Sequence, residues 1–123
     1  MLDDISKVSS QKLAFLGDAV YELFVRKKIV TNFNGTIGEL NNIKVSKVSC
    51  EAQSEMFEKI ESLLNDEELS VYKRGRNIKS GRVPKKSSPT VYRRATGLEA
   101  LFGYLYLKGN IERIEEFLKI INI

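Results

Sequence analysis

Helix-start signals recur along this chain, while strand signals are almost absent. Several stretches with helical apolar periodicity are preceded by a serine, threonine or asparagine that can accept a hydrogen bond from the first free backbone N–H groups. These signals are Ser9 or Ser10, Thr36 with Glu39, Asn65 with Glu68, Ser88 followed by Pro89, and Asn110. The pattern predicts an all-α fold.

The same signals predict where the helices run. TNFNG breaks the first helix, and SGRVPKKSS is predicted to be a basic loop. The predicted helices cover residues 10 to about 30, 37–64 with a bend, 66–79, 89–107 with a stop at Gly109, and 111–123. A chain of 123 residues that is 42% hydrophobic can bury one core, so residues 1–123 are predicted to form a single domain.

The composition excludes several kinds of chemistry. The chain has no histidine and a single cysteine, Cys50, which rules out a Cys/His zinc site, an internal disulfide and any histidine-dependent nucleophile. Cys50 is predicted to be a packing residue. If the chain is a hydrolase, carboxylates with a bound metal are the expected chemistry. No apolar run is long enough to cross a bilayer and no secretory signal is present, so we expect a cytoplasmic protein.

Basic residues are concentrated in one segment. Between Glu68 and Glu99 there is no acidic residue, and nine of the 20 basic residues lie there, which leaves 11 basic residues against all 16 acidic ones elsewhere. The nine are Lys73, Arg74, Arg76, Lys79, Arg82, Lys85, Lys86, Arg93 and Arg94. A solvated charge run is one interpretation. A site for a polyanion is the other, because Lys and Arg displace counterions from phosphates.

Two predicted helices each carry one carboxylate in apolar company. Asp18 follows Gly17 in the first, and Glu99 lies between Gly97 and Gly103 in the last long helix. Because glycine inside a helix costs about 1 kcal/mol relative to alanine, these glycines indicate backbones that pack closely. Asp18 and Glu99 could then share a cation such as Mg²⁺, or each could pair with a nearby Lys or Arg.

Two strings of the sequence resemble the motifs of a known enzyme family. QKLAFLGDAVYEL resembles the signature motif of the ribonuclease III catalytic domain, and TGLEALFGYLYL resembles its second motif. With YKRGRNIKSGRVPK between them, nearly the whole chain resembles Mini-ribonuclease III, the short branch that lacks a separate double-stranded-RNA-binding domain. The resemblance implies the helical ribonuclease III endonuclease fold.

The resemblance implies roles for individual residues. Asp18 and Glu99 match the family's metal-binding and catalytic carboxylates. Three other acidic positions of the larger enzymes fall on Gln11, Ala14 and Thr96. Either the short branch works with fewer protein carboxylates, or the chain binds RNA without cutting it; the presence of Asp18 and Glu99 favours the first. Glu22 is predicted to be a structural ion-pair partner.

The implied activity is hydrolysis of double-stranded RNA with Mg²⁺, for which Mn²⁺ can substitute, leaving 5′-phosphate and 3′-hydroxyl ends. The implied substrate is precursor ribosomal RNA of the large subunit, in a pre-ribosomal particle. Phe15 matches the family's dimer contact, so we expect a two-fold homodimer. The predicted RNA-binding residues are Lys73, Arg74, Arg76, Asn77, Lys79, Arg82, Lys85 and Lys86.

Two other functions remain open. One is a catalytically silent RNA-binding subunit of a ribonucleoprotein particle, which would keep the fold and the basic segment. The other is a helical interaction module whose basic stretch meets an acidic protein. Retention of Asp18 and Glu99 disfavours the first, and the cluster KRGRN disfavours the second.

Overall fold

The described part of the chain is all-helical, as predicted. The computed structural model describes residues 4–78 and 88–120, and these contain no strand. The helices are α1 (Ser10–Asn32), α2 (Ile37–Val48), α3 (Cys50–Ile60), α4 (Asp66–Arg76), α5 (Pro89–Leu107) and α6 (Ile111–Leu118), with 3-10 turns at Ile5–Lys7 and Glu61–Leu63. None of the described helices is both long and apolar enough to span a bilayer.

The predicted N-caps are confirmed. Each cap side chain accepts a hydrogen bond from a backbone N–H in the first turn, which stabilises a helix by about 1 kcal/mol. Asn65 and Glu68 form a complete capping box, in which each side chain bonds the other residue's backbone N–H. The caps are Ser9 for α1, Thr36 for α2, Asn65 for α4, Ser88 for α5 and Asn110 for α6.

One predicted helix is two helices. The bent helix expected over residues 37–64 is interrupted at Ser49, whose backbone is extended at φ −65° and ψ 158°. The Ser49 hydroxyl accepts the backbone N–H of Ala52 and starts α3 at partly buried Cys50. The break was missed because apolar periodicity continues through Val48. The third predicted helix also ends early, at Arg76 rather than residue 79, with Asn77 as its C-cap.

Helix α5 is the centre of the domain. It carries nine buried residues and packs against α1, α3, α4 and α6, so it is apolar on nearly every side. Two aromatic contacts hold these helices together. Tyr21 of α1 meets Phe102 of α5 edge to face, with 5.3 Å between ring centroids, and Phe57 of α3 stacks on Tyr72 of α4 at 3.7 Å.

Helices α1 and α5 cross with their backbones in contact. A Cβ added to Gly17 would lie 1.6 Å from the Glu99 carbonyl oxygen, and one added to Gly103 would lie 2.0 Å from the Leu13 carbonyl oxygen. Only glycine permits this approach. The predicted close packing at these two residues is confirmed. Gly97 is also tightly packed, but against Tyr72 of α4 instead of α1.

A buried ion pair joins α6 to α4. The Arg113 guanidinium donates two hydrogen bonds of 2.8 Å to Glu68, whose residue is 2% exposed, and another of 2.6 Å to the Leu63 carbonyl. Burial alone would raise the pKa of Glu68, but hydrogen bonds from Arg113 and the Asn65 backbone hold it below its usual range. This ion pair therefore holds α6, the last helix that the structure describes, against α4.

Candidate active site

The α1–α5 crossing brings Asp18 and Glu99 together. Because Gly17 touches the Glu99 backbone, the next residue, Asp18, presents its carboxyl group to the Glu99 side chain, and the two carboxyl groups lie within hydrogen-bonding range. Asp18 is exposed and Glu99 is half-buried. The site is therefore open to solvent on the Asp18 side and enclosed by the domain on the Glu99 side.

The Glu99 carboxyl group is strongly perturbed. Burial raises its pKa, the hydrogen bond and charge of Asp18 raise it further, and a hydrogen bond from Gln53 lowers it, with a result of about 8. Without a bound cation, Glu99 is therefore mostly protonated at neutral pH. Two adjacent carboxyl groups that share one proton form a site where a divalent cation can take the place of that proton.

Neither carboxyl group has a basic partner in the described segments. The salt bridges there involve other acidic residues, so pairing of Asp18 or Glu99 with a Lys or Arg is not observed. Glu22, one turn beyond Asp18, does pair: it contacts Arg26 at 2.9 Å and Lys44 at 4.0 Å. Glu22 thus forms the ion pair that the sequence predicts.

A third polar side chain reaches the site from α3. Gln53 is 3% exposed, and its amide lies against the Glu99 carboxyl group, whose pKa it lowers. The sequence interpretation missed this residue. A signal was present, because Gln53 stands on the same helical stripe as the buried Met56, Phe57 and Ile60, where an amide is out of place without a partner.

Tyr21 is a buried residue of α1 that lies near enough to Glu99 to feel its charge. It is almost fully buried, and its hydroxyl donates to the Lys47 carbonyl oxygen at 3.0 Å, which links α1 to the end of α2. Burial, and then the nearby Glu99 charge, raise the pKa of Tyr21 well above its usual range. The hydroxyl therefore remains protonated and serves as a structural donor.

The donor set suits a hard divalent cation. Carboxylate oxygens are the ligands that Mg²⁺ prefers, and it commonly keeps several waters and binds through one or two protein carboxylates with substrate phosphates. Across residues 4–78 and 88–120, no three His, Cys, Asp or Glu side chains gather as a metal site. Gln11 is exposed, Ala14 is buried, and the Thr96 hydroxyl donates to the Tyr92 carbonyl at 3.0 Å.

Half of the predicted RNA-binding residues are at the C-terminal end of α4. Lys73, Arg74 and Asn77 are exposed, while the Arg76 guanidinium lies 5.9 Å from the centroid of the Tyr72 ring and donates to Asn77 at 3.2 Å. The other predicted residues, Lys79, Arg82, Lys85 and Lys86, lie outside the described residues.

This basic end packs closely on α5. A Cβ on Gly75 would lie 2.6 Å from the Ala100 side chain, so the last turn of α4 sits beside the turn of α5 that carries Glu99. Arg94, in contrast, pairs with Glu58 of α3 at 2.7 Å. The proposed dimer contact, Phe15, is 85% exposed.

Comparison with known proteins places the chain in a family. The model of the ribonuclease III domain matches residues 11–110. The chain is 43% identical to a Mini-ribonuclease 3 of Thermoanaerobacter sp. (strain X514), covering 96% of this chain and 83% of that protein. It is 41% identical to a Mini-ribonuclease 3 of Clostridium tetani, covering 96% and 79%.

A solved structure agrees with this result. The crystal structure of a protein from Fusobacterium nucleatum superposes with a TM-score of 0.87 at 37% identity, covering 98% of this chain and 96% of that one. The matched segment includes both carboxylates and the glycines at the helix crossing. The similar proteins named here are Mini-ribonuclease 3 proteins. The chain therefore belongs to the ribonuclease III family.

Proposed function

We propose that this chain is a metal-dependent endoribonuclease that hydrolyses phosphodiester bonds of double-stranded RNA. The observation that carries the proposal is the pairing of Asp18 with Glu99 at a backbone-to-backbone helix crossing, without a basic partner in the described segments. Membership of the ribonuclease III family and the names of the relatives supply the substrate class and the reaction type.

Asp18 and Glu99 would hold Mg²⁺, or Mn²⁺ in its place. When bound, the metal supplies Lewis-acid activation of water and stabilisation of charge on the leaving oxygen. Glu99 must release its proton to take part, because its raised pKa of about 8 leaves it mostly protonated at neutral pH. Exposed Asp18 faces the side from which a phosphodiester can approach.

Duplex binding is assigned to the basic segment. Lys73, Arg74 and Asn77 are exposed at the end of α4, and the remaining predicted contacts follow in residues 79–86. Lysine and arginine contacts of this kind neutralise phosphates and position a duplex without reading its sequence. The natural substrate we propose, from the family resemblance, is a stem of large-subunit precursor ribosomal RNA in a cytoplasmic pre-ribosomal particle.

A two-fold dimer would supply one centre for each strand. Phe15, 85% exposed, Ala19, also exposed, and Leu23, 59% exposed, are spaced four residues apart and form an apolar stripe along α1 beside Asp18. An isologous dimer would bury this stripe. Sedimentation of the native chain should give a dimer and Phe15→Lys a monomer with a native helical spectrum; a native monomer at micromolar concentration would contradict the dimer.

The test of the activity uses an end-labelled RNA duplex, with the same strand unpaired and a DNA duplex of the same sequence as controls. With Mg²⁺ the native chain should cut the RNA duplex and leave 5′-phosphate ends, with little cutting of either control and none in EDTA. Binding of the duplex without cleavage would favour the silent RNA-binding subunit. The supporting observation is that, among the described residues, no third acidic side chain joins Asp18 and Glu99.

A further inference from the structure

Gln53 meets the Glu99 carboxylate from inside the domain. Its helix, α3, packs on α5, and the stacking of Phe57 on Tyr72 fixes α3 against α4. Gln53 is buried, with 3% of its surface exposed. A buried amide without a partner costs about 1–3 kcal/mol, so its place on the apolar stripe is stable only because it finds polar partners.

The chemical character of the amide suits a carboxylate that must bind a cation. An arginine or lysine in this position would neutralise the Glu99 charge and repel the metal. A glutamine donates a hydrogen bond to one oxygen, adds no charge, and leaves the remaining lone pairs of the carboxylate available. Metal-binding groups are commonly oriented by such outer partners.

We propose that Gln53 is a positioning residue, whose side-chain N–H holds the Glu99 carboxylate in the orientation in which it shares a divalent cation with Asp18. This assignment rests on the proposed function, because it requires Glu99 to be a metal-binding group. It adds a third residue to the site, and one that contacts neither the RNA nor the reacting atoms.

The test compares two variants of Gln53 in the full chain. Gln53→Met keeps the length of the side chain and removes the donor, whereas Gln53→Asn keeps an amide on a shorter side chain. Binding of Mn²⁺ to the RNA-free protein, followed by electron paramagnetic resonance, should weaken about 10-fold or more in Gln53→Met, with Gln53→Asn intermediate. Single-turnover cleavage should fall in parallel and recover at higher Mg²⁺, while duplex binding in EDTA stays native.

Ser54→Ala is the matched control. Ser54 is the next residue of α3 and is also buried, at 4% exposure, but it points about 100° away around the helix. Whatever its effect on stability in urea, the control should bind Mn²⁺ with native affinity.

Two outcomes overturn the proposal in distinguishable ways. If Gln53→Met loses stability but binds Mn²⁺ as tightly as the native chain and Ser54→Ala do, Gln53 is only a structural residue. If Gln53→Met does not fold, the same comparison is made with Gln53→Asn. If the native chain itself neither binds Mn²⁺ nor cuts the duplex, the proposed function fails first, and there is no metal-holding carboxylate for Gln53 to position.

Discussion

Two glutamates of this domain have opposite environments. Glu68 of α4 receives two hydrogen bonds from the Arg113 guanidinium, and its pKa lies below the usual range. Glu99 of α5 faces Asp18, another carboxyl group, and the neutral amide of Gln53 is its donor among the residues that the structure describes; its pKa is about 8. The two residues have the same side chain and both lie on helices of the core.

The difference lies in the partner. A guanidinium satisfies the charge of Glu68 within the fold, so that glutamate holds α6 to α4 and has no remaining capacity for a cation. In the described segments no basic group compensates Glu99 when it is ionised, which costs stability and leaves its oxygens available to a metal. Carboxyl groups with strongly raised pKa values cluster at functional sites.

The largest effect on stability is expected from breaking the structural pair. Arg113→Met leaves Glu68 buried without its charge partner and should lower the free energy of unfolding by about 3–5 kcal/mol in urea titrations. The double variant Glu68→Leu/Arg113→Met should recover much of this loss, because no charge remains buried. A loss below 1 kcal/mol in the single variant would show that the pair does not hold α6 in place.

The helix crossing that creates the Glu99 environment should be nearly as sensitive. Gly17→Ala places a methyl group against the Glu99 carbonyl oxygen, and this clash can be relieved only if the two helix backbones move apart. The variant should lower the free energy of unfolding by about 3 kcal/mol and abolish most of the cleavage activity. Gly38→Ala is the control, because a Cβ added there would lie 3.8 Å from its nearest neighbour, the Thr36 hydroxyl. This variant should raise the free energy of unfolding by up to about 1 kcal/mol, because alanine favours a helix more than glycine does. Equal stability of the two variants would contradict the close crossing.

The smallest effect concerns pH, where the two glutamates should act in opposite directions. The pKa of Glu99 is about 8 in the folded metal-free chain and 4.5 in the unfolded chain. Between these pH values only the folded chain holds a proton on Glu99, so the free energy of unfolding falls as pH rises from about 4.5 to 8. Glu68, with a lowered pKa, contributes stability that is lost as pH falls through its folded-state value.

Glu99→Gln should therefore stabilise the metal-free chain at pH 8, by on the order of 1 kcal/mol after solvent screening, and change little near pH 4.5. Urea titrations in EDTA at the two pH values measure this difference. A variant less stable than the native chain at pH 8 would mean that Glu99 is compensated within the fold, as Glu68 is.

Local features of this structure could be predicted from the sequence. Caps such as Ser9, Asn65 and Ser88 act within four residues, so their side-chain types suffice to place helix starts. Asp18 and Glu99 were predicted to meet because Gly17 precedes Asp18, because Gly97 and Gly103 lie on either side of Glu99, and because both motifs resemble those of the family.

Features that depend on packing between helices could not be predicted in the same way. The role of Gln53 depends on which face of α3 meets α5, and the partner of Gly97 depends on where α4 lies. The break at Ser49 is local, but it was hidden by the apolar periodicity on both sides. Phe15 is exposed, as a subunit contact requires, but its contact with a second subunit stays a prediction.

The most direct test of the account is cleavage of the end-labelled RNA duplex in Mg²⁺ by Asp18→Asn, Glu99→Gln and Glu68→Gln, compared with the native chain at the same salt concentration. Both site variants should bind the duplex and lose at least about 10³-fold in cleavage rate, as expected when several kcal/mol of transition-state stabilisation disappear. Per folded molecule, Glu68→Gln should cut within a few-fold of the native rate. Native cleavage by Asp18→Asn and Glu99→Gln would place the chemistry elsewhere and contradict the account.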